Sequence, residues 1–93
     1  MDAALMKLVR QAADILKAGG AREVYLFGSA AAGKLRRNSD IDMAVSGLPP
    51  RIFFRMMGKA ETVLGRPLDL IDLDSPSLFN DYLKKKGKLV RVA

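Results

Sequence analysis

The sequence predicts an α/β domain of the α+β kind, a small mixed sheet flanked by helices. Three observations predict it. Apolar residues recur at helical spacing over residues 2–18 and 50–64. Short apolar runs bounded by glycine and proline occupy 23–27, 40–45 and 68–73. The two kinds of segment follow one another as helix, strand, strand, helix, strand, helix. Ninety-three residues suffice for one modest core and not for two, so a single domain over 1–93 is expected.

Leu5, Leu8, Val9, Ala12 and Leu16 form one stripe of the first helix, with Asp2 placed to cap its start and Gly19-Gly20 to end it. EVYLF, 23–27, reads as a buried strand running into Gly28, and Ala30-Ala31-Ala32 as a short helical turn. The strand 40–45 stops before Gly47 and Pro49-Pro50. Proline suits the first turn of the next helix, 50–64. Its apolar face carries Phe53, Met56, Met57, Ala60, Val63 and Leu64, and Gly65 closes it. LDLIDL, 68–73, is the third strand. Asp74 or Ser75, ahead of Pro76, is placed to start a last helix through Lys86. Leu78, Phe79, Tyr82 and Leu83 are that helix's apolar positions, and residues 89–92 add a short strand.

The chemistry concentrates in residues 28–45, GSAAAGKLRRNSDIDMAV. Alternate side chains of a strand share a face, so Asp40 and Asp42 project together while Ile41, Met43 and Val45 enter the core. Two neighbouring carboxylates repel one another unless a cation sits between them, and Mg²⁺ is the usual one. Gly28 permits a tight turn and a close approach of backbone amides to an anion, and Ser29 adds a hydroxyl donor. A phosphate cradle beside a metal-holding carboxylate pair describes a site for a metal-bound nucleoside triphosphate. Gly28, Ser29, Gly33, Lys34 and Ser39 are its candidate nucleotide-binding residues.

Composition excludes several classes. There is no cysteine, hence no disulfide and no thiolate metal site. There is no histidine, which removes histidine-based acid–base and nucleophilic chemistry. No apolar run approaches the ~20 residues of a membrane span, and the charged N-terminus does not read as a signal peptide, so a cytoplasmic protein is expected. The net charge of +6 favours a polyanionic partner. Lys34, Arg36 and Arg37 flank the glycine loop. Lys84, Lys85, Lys86 and Lys88 form a second cluster, expected to be a solvated or partner-facing surface away from the site.

Gly-Ser, ten residues, then Asp-x-Asp resembles the signature of the nucleotidyltransferase superfamily of DNA polymerase beta type. At this length the chain is similar to the minimal nucleotidyltransferases (MNT), often antitoxins paired with HEPN-domain toxins. The resemblance spans nearly the whole chain and implies a polymerase-beta-like palm. It implies a third carboxylate, matched by Asp69 at the start of LDLIDL, with Asp72 and Asp74 as strand-end or capping residues. Asp69 shares its face with apolar Ile71 and Leu73 and so reads as a charge at a core edge. The implied catalytic and metal-binding set is Asp40, Asp42 and Asp69, with two Mg²⁺ ions and ATP as substrate. The implied reaction moves AMP to a hydroxyl, on a HEPN toxin partner, the minimal chain borrowing its acceptor surface from that partner or from a second copy of itself. One position departs: the family commonly carries arginine just before the second loop glycine, where this chain has Ala32. A contact-only antitoxin and a basic nucleic-acid-binding domain are the rival readings. The second lacks the aromatic pattern of base-stacking modules.

Overall fold

The computed structural model describes residues 3–35 and 39–93. The elements are α1 (Ala3–Ala18), β1 (Glu23–Leu26), the single-turn α2 (Gly28–Ala31), β2 (Ile41–Ser46), a 3₁₀ turn (Pro50–Ile52), α3 (Phe53–Leu64), β3 (Leu68–Asp72), α4 (Leu78–Lys85) and β4 (Val90–Arg91). The four strands form one mixed sheet in the order β3-β2-β1-β4. β1 is antiparallel to both β2 and β4, whereas β2 and β3 run parallel, joined through α3. The fold is thus the small mixed α/β sheet flanked by helices that the pattern predicts.

One face of the sheet carries the main core. Ile41, Met43 and Val45 of β2 are completely buried, as are Val9, Ala12, Ala13 and Leu16 of α1. Met56, Ala60 and Leu64 of α3 close the same cluster. The apolar stripes of α1 and α3 are therefore packing surfaces, and burying them is the main driving force for the fold. Asp2, the expected cap of α1, lies outside the described residues.

The opposite face is only partly covered. Leu83 of α4 packs with Phe27, Ala44 and Leu73 in a smaller cluster. Here the structure corrects the sequence-based expectation twice. The last helix starts at Leu78, not near Ser75, and its cap is Ser77, whose Oγ accepts the Asn80 N–H at 2.9 Å. Residues 74 and 75 are instead held in a turn by Asp72. Its carboxylate accepts the Asp74 N–H at 2.9 Å and the Ser75 hydroxyl at 3.3 Å. Such Asx turns compete with helix initiation. The inward face of α4 is also different: Asn80 and Leu83 are buried, whereas Leu78, Phe79 and Tyr82 are exposed.

Asn80 fastens α4 to the sheet. Its Nδ2 donates to the Asp72 carbonyl at 2.8 Å and to the Ser75 carbonyl at 2.6 Å. Asn80→Ala removes both bonds, takes the amide donor from the Ser75 carbonyl and opens a gap, so stability should fall by about 1–3 kcal/mol, read as a lower urea midpoint. An unchanged midpoint would show that water replaces the amide without loss.

Candidate active site

The site is built where β1 ends and β2 begins. The Phe27 N–H donates to the Asp42 carbonyl at 3.0 Å, which ties the exit of β1 to the entry of β2. The chain then turns at Gly28, with φ +63°, into α2. The amides of a helix's first turn have no partners within the helix, which leaves those of exposed Gly28 and half-buried Ser29 for an outside acceptor, while Ala30 is buried. The turn closes through Ala32 N–H to the Gly28 carbonyl at 3.1 Å and Lys34 N–H to the Ser29 carbonyl at 2.9 Å. A Cβ placed on Gly28 would fall on Asp42 Oδ2. Only glycine lets the loop backbone lie against that carboxylate.

Parallel pairing sets Asp42 directly opposite Asp69. Residues in register on adjacent strands share a face, so both carboxylates stand on the sheet side away from α1 and α3. Asp40 is exposed and sits one residue before β2, not within it. Asp42 is half-buried, and its carboxyl is pushed above the ordinary carboxylate range, first by burial, then by Asp69, then by Asp40. Among the described residues no hydrogen bond or ion pair reaches the Asp42 carboxylate. The site is a concentration of negative charge at the N-terminal edge of two parallel strands and the C-terminal end of β1.

Asp69 does not sit at a core edge. It is exposed, whereas Leu73 and Ile71 on the same face pack in the cluster that includes Leu83 of α4. Among the described residues no three acidic side chains converge into a ready-made metal cage. Mg²⁺ sites that work on phosphates rarely need one, since one or two carboxylates and the substrate's own oxygens complete them. An all-oxygen pair whose charges oppose each other fits such an ion.

The remaining candidates are distributed around this centre. Ser29 is half-buried in α2, Gly33 ends its turn with φ +71°, and Lys34 is exposed beyond it. The Ser39 carbonyl accepts from Arg66 Nη1 at 3.3 Å, which fastens the approach to β2 onto the loop before β3. Arg36 and Arg37 lie outside the described residues. Lys88 departs from its expected remoteness. It lines a cavity of about 380 Å³ together with Gly28, because the packing of α4 brings the chain after its C-terminus back to the glycine loop. Lys84 borders a separate cavity of about 400 Å³ with Arg22, Tyr25 and Asp74, which includes neither Gly28 nor Asp42. Nothing in the spacing of the lysines marks Lys88 apart, since its position depends on how α4 docks.

Fold and site together define the class: a nucleotidyltransferase domain whose carboxylates stand on neighbouring strands beside a Gly-Ser turn. The family model described as Polymerase beta, Nucleotidyltransferase matches residues 10–92, and the chain belongs to that family. No curated protein matches it. A chain in the crystal structure of a toxin–antitoxin with AMP-PNP is 27% identical, with a TM-score of 0.72 over 90% of this chain and 72% of that one. A chain in the crystal structure of the toxin–antitoxin MntA–HepT is 26% identical, with a TM-score of 0.65 over 89% and 68%. A third match, at 21% identity, shows the fold alone. It belongs to a complex of a tri-AMPylated Shewanella oneidensis HEPN toxin with its MNT antitoxin, with a TM-score of 0.69 over 96% and 71%.

Proposed function

We propose that this protein is an MNT-type antitoxin that transfers AMP from ATP to a hydroxyl of a HEPN-family toxin. The observation that carries the proposal is the contact of Gly28 with Asp42, directly opposite Asp69. A backbone that can take phosphates and a carboxylate pair short of cations then meet at one point. The similarity to chains in toxin–antitoxin structures, one with AMP-PNP, supports the choice of nucleotide and partner.

In this reading the amides of Gly28 and Ser29 hold the terminal phosphates, with the Ser29 hydroxyl beside them and Gly33, Lys34 and Ser39 bordering them. Asp40, Asp42 and Asp69 would hold Mg²⁺. When bound, the ions neutralise the triphosphate and lower the pKa of the attacking hydroxyl. The acceptor oxygen forms a bond to the α-phosphorus as the bond to pyrophosphate breaks. Exposed Asp69, which can reach an acceptor from outside, takes the proton of the attacking hydroxyl.

A contact-only antitoxin is the second reading. Ala32 favours it, because the cation usual at that position in the family is missing. One experiment separates the two. The protein, its co-expressed partner, ATP and Mg²⁺ are incubated, and the partner's mass is measured. AMP addition is expected, and Asp69→Asn should lower its rate by roughly 10²–10⁴-fold while partner binding persists. An unmodified but neutralised partner would overturn the enzymatic reading.

A further inference from the structure

The cavity between α4 and the glycine loop matches the other end of a nucleotide. Gly28 forms one wall, and Phe27, Phe79, Tyr82 and Leu83 supply most of the rest. At about 380 Å³ it lies at the lower end of the ~300–1,000 Å³ range of small-molecule sites. Phe79 meets Phe27 edge to face, with ring centroids 6.0 Å apart and planes at 65°. Phe79 and Tyr82 nevertheless stay 48% and 57% exposed. Large aromatic side chains left open beside a groove mark a place where something flat and apolar binds. Lys88 is the cationic member of the lining.

We infer that this cavity takes the nucleobase of the bound nucleotide, Phe79 and Tyr82 providing the stacking surface. The inference rests on the nucleotide-binding reading above and adds a subsite to it. Gly28 is common to both parts. It lies against Asp42 and also lines the aromatic cavity. A nucleoside triphosphate has the same polarity, with a charged tail to meet amides and metal and a flat ring to meet aromatic faces. Lys88, in the same lining as Gly28, supplies positive charge that Ala32 does not. Tyr82 and Lys88 are the polar side chains of the lining, so the base is recognised by its face more than by its edges.

The test is calorimetric titration of the full chain with Mg²⁺-ATP and, separately, with Mg²⁺-tripolyphosphate, which has the tail without the base. Phe79→Ala and Tyr82→Ala should each weaken ATP binding at least about fivefold, the lower limit of base stacking, and leave tripolyphosphate binding unchanged. Tyr82→Phe, which keeps the ring, should bind ATP like the wild type. Equal weakening toward both ligands would mean a disturbed loop and would overturn the inference. So would unchanged ATP binding in both alanine variants, including the case in which they lose the protein partner instead. A wild-type chain that binds neither ligand would overturn the nucleotide reading, and the base site with it.

Discussion

Asp42→Asn is expected to raise the melting temperature of the metal-free protein while erasing the stabilisation that Mg²⁺-ATP confers. Burial and the neighbouring Asp69 and Asp40 push the Asp42 carboxyl up. A carboxyl raised in the folded state favours folding while protonated, at pH below its unfolded value. That contribution is lost as pH rises through the folded value. At neutral pH the ionised group therefore opposes folding, and the neutral amide relieves it. The advantage of the variant should shrink as pH is lowered into the carboxylate range, where the wild type is protonated. Ligand binding reverses the order. A ligand at a hundred times its dissociation constant stabilises the folded state by about 2.7 kcal/mol, and only the wild type should receive this. Thermal unfolding at neutral and acidic pH, with and without Mg²⁺-ATP, measures each limb. A variant that melts lower than wild type without metal would show that Asp42 has a stabilising partner.

Gly28→Ala should abolish metal-dependent nucleotide binding, and it should do so for two separable reasons. The first is conformational, since φ is +63° and left-handed backbone costs an alanine about 1–2 kcal/mol. The second is spatial, because the added methyl would displace the Asp42 carboxylate. Gly65→Ala isolates the first. Gly65 caps α3 with φ +69° and has open space where the methyl would go. Both variants should lose stability in urea, Gly28→Ala at least as much as Gly65→Ala, yet Gly65→Ala should keep the wild-type nucleotide affinity. Retention of that affinity by Gly28→Ala would remove the contact with Asp42 from the site.

What the residue pattern foretold follows from what is local. The alternation of Asp40 and Asp42 with Ile41, Met43 and Val45 needs only strand geometry, and all three apolar partners are completely buried. The α1 stripe and the Gly65 terminus of α3 are equally local. The end of the chain is not. Ser75 and Ser77 are both acceptable caps by type, and the choice between them turns on hydrogen bonds from Asp72. Phe79 and Tyr82 look like core residues by hydropathy, whereas α4 turns Asn80 and Leu83 inward. An asparagine anchor is invisible to hydrophobic periodicity, because it is buried by two carbonyl partners rather than by apolar area. The same docking brings Lys88 to Gly28, and no spacing in the sequence encodes it.

The parallel register of β2 and β3 also governs which length changes the chain can survive. The juxtaposition of Asp42 and Asp69 depends on how the two strands are aligned, and not on how much chain connects them. An extra residue beside exposed Gly65 lengthens a loop and leaves that alignment available. A single deletion inside β2 inverts every side chain beyond it, sending a carboxylate toward α1 and an aliphatic residue to the open face. Insertions and deletions that spare the site therefore belong in the crossover, while the few residues around each aspartate have essentially fixed length.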